Sequence, residues 1–414
     1  MKKVCLLTDH HISINPRVWK EAFFYESRGW DVVILCKWHS GDLLSRDKKI
    51  LEGHAVSYKP YLNLIKEETT IIKRFYYRAR KRMAAAIQQY FKRGSGWAIS
   101  HGPGLMFKEA LKENADLYAA HLECAFFAGR KLIRAGKNVS FDFEDWYSRD
   151  YLVPSRPVKL LQSLEHFALN NGLFCTAASQ AMVNGIREAY KTKKEITVIY
   201  NGFPVNDEVK KSDTNGNARL TNGQGYTKLI WFSRTIGPER GIEYLIDALG
   251  YLDEPLELHL LGDMAAGYDK FLQKKFHALR HRLFIHPFLE QEQLNNFLAG
   301  FDIGLAIEEN INDNKKLTVS NKLLQYLQSG IKVVASDTAG HREVAVYFPK
   351  SVLVVDLYKP DTIAAAITQL EKNNEPISCD EKKRFEEIFS WEAQEKKLED
   401  ILSKVFSHGS TGSP

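Results

Sequence analysis

An alternation of short apolar runs with amphipathic segments, repeated in two series, constrains the fold of this chain more than any other feature. The first series starts with the apolar run VCLLT and a helix-like segment at residues 17–27. The second starts with LIWFS and a helix-like segment at residues 240–249. Strands that alternate with helices predict parallel sheets joined by right-handed crossovers. We therefore predict two doubly wound, Rossmann-like α/β domains.

A polar segment separates the two series. Residues 205–226 are rich in Asn, Gly, Asp and Lys, and they are predicted to form an interdomain linker. The first domain is then predicted at 1–204 and the second at 227–386, with a disordered tail at 407–414. A length of 414 residues agrees with two domains of ordinary size.

The composition is typical of a soluble globular protein, with 44% hydrophobic and 26% charged residues. The five cysteines form no Cys-x-x-Cys pair and have no metal-like spacing with histidine, so we predict buried thiols in a reducing compartment and no metal site. The apolar start of the chain is too short for a signal peptide, and no apolar stretch approaches the ~20 residues that span a bilayer. These observations predict a cytoplasmic protein.

Most of the net charge of +6 is concentrated in residues 64–93. This segment has nine Lys or Arg residues against two Glu residues, which gives +7, while the rest of the chain sums to about −1. Five aromatic residues are interleaved with the cations, as in basic amphipathic helices on anionic membranes. A solvated helix with inward-packed aromatic residues is the alternative. No nucleic-acid recognition motif accompanies the charge, so we predict no nucleic-acid partner.

Residues 229–249 have the pattern of a strand, a turn and a helix that suits a diphosphate. Arg234 stands at the exit of the strand, Gly237 and Pro238 mark the turn, and Arg240 opens the helix. Ligands of doubly wound sheets bind beyond the carboxyl ends of the strands, where helix N-termini offer free N–H groups. The two arginines add positive charge there. The alternative is that both are ordinary surface charges.

A second phosphate-like feature lies at residues 317–337. Ser320 is predicted to cap a helix whose first turn holds Asn321 and Lys322, and Gly330 is predicted to end it. A lysine in the first turn opposes the helix dipole, and a bound anion would remove that conflict. The alternative is a lysine that extends into solvent.

Three carboxylates follow a strand of the first domain in the sequence FDFEDW. Asp142 and Glu144 are predicted to share one face of the strand, with Asp145 just beyond it. Such crowding can raise one carboxyl pKa and prepare it for proton transfer. Binding of acceptor hydroxyls and a solvated strand end are the alternatives.

The loop after the first strand, DHHISINPR, is long and polar. A dinucleotide enzyme would have Gly-x-Gly-x-x-Gly there, so this loop argues against a nicotinamide enzyme. His11 and Arg17 are predicted to face the ligand-binding cleft. Arg17 is interpreted either as a ligand of an acceptor phosphate or as the start of its helix. His121 is interpreted as a packed histidine at a strand end.

Taken in order, these motifs resemble those of glycosyltransferase family 4, whose enzymes have the GT-B fold. RTIGPERGIEYLIDAL resembles the family's Gly-Arg…Lys-Gly unit, and SNKLLQYLQSGIKVVASD resembles its Pro-Asn-Lys-x-x-Glu-Tyr signature. VIYNGFP resembles the Ile-x-Asn-Gly segment that enters the second domain, and INPRVWKEA resembles the opening Pro-Arg-x-x-x-Glu-Ala helix. FSWEAQEKKLEDIL resembles the closing Ser-Trp-Glu helix, which implies that residues 387–406 cross back to the first domain.

The resemblance implies a role for each matching residue. It implies Arg234, Arg240, Glu144 and Asp145 as catalytic residues, and His11, Arg17, Asp142 and Glu144 as acceptor ligands. The implied donor ligands are Ser233, Arg234, Arg240, Phe288, Glu308, Glu309, Ser320, Asn321, Lys322 and Gln325.

Five positions depart from the family pattern, the first being Arg240, which stands where a lysine is more usual. Gln325 and Leu317 stand where a pair of glutamates is usual, and Glu308 or Glu309 is a candidate to compensate. Glu144 stands where a histidine is usual, and Asp145 stands where a glutamate is usual.

The resemblance implies a retaining glycosyltransferase of the hexosyltransferase class. Its donor would be a UDP or GDP sugar, used without a metal or prosthetic group. Its acceptor would be a glycan or lipid-linked glycan in cell-surface polysaccharide, capsule or lipopolysaccharide synthesis, and the protein would be peripheral on the inner face of the plasma membrane. The alternatives are a non-catalytic GT-B binding subunit and a nucleotide-sugar epimerase of the same fold.

Overall fold

The computed structural model describes residues 1–150, 153–205, 226–289, 291–373 and 375–407. Most of the predicted linker, residues 206–225, and the predicted tail from residue 408 lie outside the described residues. The chain divides into two compact units. The first comprises Met1–Ile199, Asn312–Asn314 and the segment from Lys397, and the second comprises Tyr200–Ile311 and Lys315–Lys396.

A parallel sheet of seven strands forms the centre of the first unit. Its order is β3-β2-β1-β4-β5-β6-β7, and every described pairing is parallel. The strands are β1 (Lys3–Leu7), β2 (Asp31–Trp38), β3 (Val56–Asn63), β4 (Leu117–His121), β5 (Val139–Phe143), β6 (Cys175–Ala177) and β7 (Ile196–Val198).

Helices connect these strands. The α-helices are Pro16–Ser27, Gly41–Ile50, Ile71–Phe91, Gly96–Ile99, Pro103–Glu113, Leu122–Arg134, Val158–Asn171 and Gln180–Tyr190, and short 3-10 turns occupy Ile12–Ile14 and Tyr147–Arg149. The first α-helix has proline at its first position, where the missing N–H has no helical partner. The basic segment forms the longest of these helices.

A parallel sheet of six strands forms the centre of the second unit. Its order is β10-β9-β8-β11-β12-β13. The strands are β8 (Thr227–Ile236), β9 (Leu256–Met264), β10 (Arg282–His286), β11 (Ile303–Ala306), β12 (Lys332–Ser336) and β13 (Val352–Val355). The helices after β8 are Ile242–Leu249, Tyr268–Phe276, Gln291–Leu298, Asp313–Leu317, Asn321–Gln328, Ala339–Ala345, Pro360–Lys372, Cys379–Ile388 and Trp391–Ser407. Of these, Asp313–Leu317 and Trp391–Ser407 each have residues in both units.

The core of the second unit explains why its strands are continuous apolar runs. Trp231 of β8, Leu260 of β9 and Leu305 of β11 are fully buried, and helices cover the sheet with side chains such as Leu245 and Ile367. Strands of a parallel sheet are buried on both faces, so they lack the alternation of half-exposed strands. The predicted fold class, two Rossmann-like parallel-sheet domains, is confirmed.

The closing helix begins later than the sequence indicated. Its N-terminus is set at Ser390, whose Oγ accepts a hydrogen bond of 3.2 Å from the backbone N–H of Ala393. In the middle of the helix, Lys397 Nζ donates to the carbonyl oxygen of Val198 at 3.1 Å, and near its end the ring centroid of Phe406 lies 4.2 Å from Lys2 Nζ. These contacts belong to the first unit.

No helix among the described residues combines the length and the apolar character needed to cross a membrane.

Candidate functional site

The middle of the second sheet is its ligand-binding edge. The chain leaves β8 toward β9 and β10 and later returns to the opposite side at β11, so the strand order reverses between β8 and β11. Ligands of doubly wound sheets bind beyond the carboxyl ends of the strands at such a reversal. Arg234 lies near the carboxyl end of β8, and Glu308 and Glu309 follow β11 directly. The sheet thus brings these predicted donor residues to one edge.

An irregularity in β8 sets the direction of Arg234. The pairing of β8 with β9 shifts between Phe232 and Thr235, so Ser233 and Arg234 lie in a bulge-like interruption. Bulges commonly re-aim side chains next to active sites. A Cβ atom on Gly262 of β9 would lie 2.1 Å from the carbonyl oxygen of Ser233, so glycine is required for the two strands to approach here.

Arg234 and Arg240 have no counter-ion among the residues that the structure describes. Arg234 is exposed and Arg240 is half-buried, and neither forms a hydrogen bond or ion pair within the described part of the chain. Their roles as catalytic residues and donor ligands stay predictions.

The loop between the two arginines is conformationally strained and tied to β11. Glu239 has φ +60° and Gly241 has φ +78°. A Cβ atom on Gly241 would lie 2.6 Å from Ile307 Cγ2, and the Gly241 N–H donates to Glu309 Oε1 at 3.1 Å. Backbone strain of this kind persists only where surrounding contacts enforce it, and it clusters at ligand sites. Glu309, predicted to bind the donor, therefore also positions the loop that carries Arg240.

Lys322, in the first turn of its helix, already has an anionic partner in the protein. Its Nζ forms a short ion pair with Glu308 Oε1, and it lies 5.4 Å from the ring centroid of the fully buried Trp231. Burial alone would raise the pKa of Glu308, but Lys322 and Lys315 outweigh it and lower the pKa to about 2. The conflict between Lys322 and the helix dipole is thus relieved by Glu308. Donor binding by either residue stays a prediction.

The helix that starts after Ser320 is capped as the sequence indicated. Ser320 Oγ accepts from the Leu323 N–H at 3.4 Å, and Asn321 Oδ1 accepts from Asn201 Nδ2 at 2.9 Å. Gln325, where a glutamate is usual, is 2% exposed. Its Nε2 is buried without a hydrogen-bond partner among the described residues. An unsatisfied buried donor costs about 1–3 kcal/mol, so an oxygen acceptor beside it would be stabilising.

Phe288 lies at the same carboxyl edge of the second sheet, two residues after β10. Its side chain is 38% exposed. Just before it, His286 stacks on His259 with ring centroids 5.1 Å apart and planes inclined by 6°. An exposed aromatic ring such as that of Phe288 can pack against a planar ring of a ligand.

In the first unit, Arg17 and Asp142 are partners of each other. Arg17 Nη2 donates to Asp142 Oδ1 at 2.8 Å, Arg17 Nε forms a shorter bond to Oδ2, and Nη1 donates to the carbonyl oxygen of Ile199 at 2.5 Å. Both side chains are buried, and Thr176 Oγ1 completes the shell of Asp142 at 2.7 Å. The structure therefore brings two predicted acceptor ligands together as a buried ion pair. Acceptor binding by either one stays a prediction.

His121 joins two further carboxylates, Glu144 and Glu21, to this pair. Its Nδ1 lies 2.8 Å from Glu144 Oε1 and 3.4 Å from Asp142 Oδ2, and its Nε2 lies 3.0 Å from Glu21 Oε2. Burial would lower the pKa of His121, but the carboxylates, Glu21 first, outweigh it and raise the pKa well above its ordinary value. Asp142, in β5, and Glu144, just beyond its end, are thus both at the same nitrogen of His121. The expected rise in a carboxyl pKa is wrong for Asp142, because Arg17 and His121 outweigh the effect of burial and lower it.

Glu21, His121 and Asp142 are also close enough to hold a metal ion, with ligand atoms within 4.8 Å of one another. Metal binding needs a neutral imidazole and a free carboxylate. Here the pKa of His121 is raised and Arg17 pairs with Asp142. The group fits a buried ion network better than a metal centre.

His11 is held by neighbours on both ring nitrogens. Its Nε2 accepts from the His39 N–H at 3.1 Å, so Nδ1 carries the proton and donates to Asp47 Oδ2 at 2.5 Å. Both His11 and Asp47 have fully buried side chains. A predicted acceptor ligand thus fixes the loop after β1, and its acceptor role stays a prediction.

Asp145 has a raised carboxyl pKa, which the sequence analysis expected for one member of the pair Asp142 and Glu144. Burial, followed by repulsion from Asp150, raises the pKa of Asp145 to about 6. Its Oδ1 accepts from Asn314 Nδ2 at 2.8 Å, while Asn314 Oδ1 accepts from the Trp146 N–H at 2.7 Å. Asn314, a residue that the sequence did not single out, therefore positions this carboxylate.

Comparison with known proteins supports a glycosyl transfer site in the second unit. Residues 227–373 match the family model described as "Glycosyl transferases group 1". An uncharacterized glycosyltransferase of Methanocaldococcus jannaschii is 25% identical over 241 residues, which cover 56% of this chain. The match spans 58% of that relative, little more than half of its length.

Solved structures share the fold over nearly the whole chain. HepE of Anabaena in complex with UDP has a TM-score of 0.67 at 16% identity, covering 98% of this chain and 100% of that one. Sucrose-phosphate synthase of Thermosynechococcus elongatus has a TM-score of 0.68 at 12% identity, covering 99% and 100%. A putative UDP-N-acetylglucosamine 2-epimerase of Listeria monocytogenes has a TM-score of 0.56 at 12% identity, covering 100% and 99%.

These matches confirm the resemblance to group 1 glycosyltransferases with the GT-B fold. The narrower assignment to family 4 stays a prediction. The matched residues 227–373 include Arg234, Arg240, Lys322 and every other predicted donor ligand. They exclude the buried network of Arg17, His121 and Asp142 in the first unit.

Sequence reasoning missed a cavity at the ligand-binding edge of the first sheet. It lies where the strand order reverses between β1 and β4, and it is lined by Asp9, Lys37, Lys81, Glu123 and Arg156 among others. The spacing of Lys81, Ala84 and Gln88 could have indicated part of it, because these positions share one helix face.

Proposed function

We propose that this chain is a glycosyltransferase that takes a hexosyl group from a nucleoside-diphosphate sugar bound by the second unit. The observation that carries the proposal is the pair of arginines, Arg234 and Arg240, which lie near the reversal point of the second sheet and have no partner among the described residues. The match of residues 227–373 to a glycosyl transferase family model supports it.

The chemistry requires stabilisation of a leaving diphosphate. The bond between the sugar C1 and the phosphate oxygen breaks, its electron pair stays on the diphosphate, and an acceptor oxygen forms the new bond to C1. Arg234, Arg240 and the N–H groups after Ser320 are proposed to donate hydrogen bonds to the negative charge that develops on the diphosphate. The proposal assigns this stabilisation to protein groups and needs no metal.

The acceptor hydroxyl must lose its proton in the same reaction. Asp145 is the proposed proton acceptor, because a carboxyl pKa of about 6 lies close to neutral pH. Glu144, paired with His121, would bind acceptor hydroxyls. Retention of the anomeric configuration is proposed from the resemblance to family 4.

UDP is the nucleotide to test first. HepE of Anabaena was solved with UDP, with UDP-glucose, and with UDP and glucose. A ligand that binds the native state raises the unfolding temperature by mass action. The full chain should therefore be stabilised by UDP or UDP-glucose in a thermal-shift screen that also includes GDP, ADP and CMP. Stabilisation by GDP alone would keep the proposed reaction and replace the nucleotide.

The same screen separates the other two functions. An epimerase would bind UDP-N-acetylglucosamine and convert it without an acceptor, which proton NMR of the sugar detects. A non-catalytic subunit would turn nothing over. No stabilisation by any nucleotide would contradict a donor site in the second unit.

We further propose that the helix Ile71–Phe91 binds an anionic membrane surface and brings the enzyme to a lipid-linked glycan acceptor. Its outward side exposes large apolar groups, including Ile72 at 81%, Phe75 at 72% and Tyr90 at 75%. Cations such as Arg78 and Arg82 are exposed on the same helix. Apolar side chains flanked by cations suit a surface of anionic headgroups over acyl chains.

Vesicle binding tests this surface. The variant Arg78→Gln and Arg82→Gln should lose sedimentation with phosphatidylglycerol vesicles, and Phe75→Ser should weaken it at unchanged charge. Lys108→Gln and Lys137→Gln, on other elements of the first unit, form the charge-matched control. Equal sedimentation of all variants would remove the membrane from the proposal.

A further inference from the structure

A cavity of about 250 Å³ opens at the carboxyl edge of the first sheet. Asp9 and Lys37 reach it from the ends of β1 and β2, and Leu122 and Glu123 follow β4. The strand order reverses between β1 and β4, so the cavity occupies the position where doubly wound sheets bind ligands. Leu122, at its wall, has φ +69°, a strained value for a residue with a branched side chain.

Two of the three cations in the wall of this cavity are neutralised by the protein. Lys37 Nζ lies 2.9 Å from Asp9 Oδ2, and Arg156 Nη1 lies 3.4 Å from Glu123 Oε1. Asp9 has further donors in Ser100 Oγ at 2.8 Å and the Tyr61 hydroxyl. The carboxylates of the wall are therefore already in use.

Lys81 is the third cation, and it has no hydrogen bond or ion pair within the described ranges. It belongs to the helix Ile71–Phe91 but lies on the helix face of Ala84 and Gln88, the two residues of that helix that are buried. Positions 81, 84 and 88 share one face at helical spacing. Lys81 thus points away from the exposed apolar side and lines the cavity instead.

The surroundings of Lys81 have an excess of positive charge. Burial and repulsion from Lys37 lower the pKa of Lys81. Burial, then Lys37 and Lys81, lower the pKa of the nearby His101 to about 4. Since both effects are relieved by a negative group, an anion in the cavity is electrostatically favoured.

We propose that this cavity binds an anionic oxygen group of the acceptor, a phosphate ester or a carboxylate, with Lys81 as its charged ligand. That the anion belongs to the acceptor rests on the proposed function, whereas binding of an anion rests on the cavity alone. A volume of about 250 Å³ holds one such group with its water, whereas whole ligand pockets usually measure about 300–1,000 Å³. The rest of the acceptor therefore lies outside the cavity.

Protection of Lys81 from acylation tests the proposal on the full chain. The acylation rate of each lysine is measured by peptide mass spectrometry with inorganic phosphate, with glucuronate, or with sodium chloride at equal ionic strength. Lys73, exposed on the same helix, is the internal control. A bound anion should slow acylation of Lys81 about 10-fold at about ten times its Kd and leave Lys73 unchanged.

The two anions distinguish the sources of the group. Protection by phosphate alone assigns a phosphate ester, and protection by glucuronate alone assigns a carboxylate. Equal Lys81 rates in all three solutions overturn the proposal. Phosphorus NMR line broadening of inorganic phosphate gives an independent readout: Lys81→Met should reduce it, Lys81→Arg should restore part of the loss, and Lys73→Met should leave it unchanged.

The donor site is read separately in the same samples. Lys81→Met should keep the full stabilisation by UDP, because Lys81 belongs to the first unit. If anions do not protect Lys81 in the native chain but UDP still stabilises it, the anion site alone is refuted. If anions protect Lys81 but UDP stabilises neither the native chain nor any variant, the proposed donor site of the second unit is refuted instead.

Discussion

Arg234→Ala should separate catalysis from stability more cleanly than any other substitution in this chain. Arg234 is exposed and makes no hydrogen bond or ion pair within the described segments. Exposed residues without partners change stability by only about 0.5 kcal/mol when substituted. The variant should therefore unfold at nearly the temperature of the native chain.

The loss of activity follows from the bond that Arg234 would form in the transition state. A hydrogen bond to a charged group contributes about 1.5–3 kcal/mol. Since about 1.36 kcal/mol corresponds to a factor of ten, turnover should fall about 10- to 160-fold. The measurement is UDP release from UDP-glucose under single-turnover conditions, together with the shift in unfolding temperature that UDP causes.

Arg280→Ala is the matched control for this prediction. Arg280 is an exposed arginine of the same unit, but it precedes β10 and so lies toward the opposite edge of the sheet from Arg234. Its Nη1 donates only to the carbonyl oxygen of Asp253, at 2.8 Å. Equal turnover in the native chain and in Arg234→Ala would refute the diphosphate argument. An equal loss in both arginine variants would reduce it to a general effect of surface charge.

Three further substitutions test the geometry of the sites. Gly241→Ala should cost about 1–3 kcal/mol more than Gly267→Ala in thermal unfolding, because both have φ near +78° but only the first Cβ meets a neighbour, Ile307. Glu308→Gln should lower the free energy of unfolding by about 3 kcal/mol at neutral pH, since folding lowers the pKa of Glu308 from 4.5 to about 2. The loss should be complete above pH 4.5 and shrink as the pH falls toward 2. A loss that does not depend on pH would contradict the ion pair. Asp145→Asn should lower turnover about 100- to 10,000-fold. The variant should also lose the fall in turnover at acid pH that is centred near pH 6. It should not lose stability above that pH, because folding raises the pKa of Asp145 and so disfavours its ionised form in the folded chain. An unchanged pH profile of turnover would exclude Asp145 as the base.

The sequence predicted the fold well because apolar periodicity reports directly on burial. The strand around Trp231 and the helix that starts at Asn321 lie where the pattern indicated, since their apolar faces form the core of the second unit. The start of the closing helix was predicted less accurately. Its position depends on one hydroxyl, that of Ser390, and apolar periodicity carries no information on such a cap.

The partners of the charged site residues could not be predicted in the same way. The sequence indicated Lys322 as a cation in need of an anion, but only tertiary structure shows that Glu308 supplies it. The raised carboxyl pKa expected near the end of β5 belongs to Asp145, because Arg17 occupies Asp142 from a segment 125 residues away in sequence. Spacing along a chain predicts which residues share a face, and it does not predict which distant group packs there.

We propose that charge pairing distinguishes structural charges from ligand-binding charges at the reversal points of the two sheets. A buried ion without a partner costs several kcal/mol, so folding alone favours pairs such as Arg17 with Asp142 and Lys37 with Asp9. Lys81 and the two arginines of the second unit have no such partner among the described residues, although Arg234 is exposed, and all three lie near the reversal points of the two sheets. One explanation covers both places: each cation is left for a ligand anion, a diphosphate in the second unit and an acceptor group in the first. If so, a high salt concentration should weaken both binding events while the paired charges leave the fold stable, because exposed charges are screened more than buried ones.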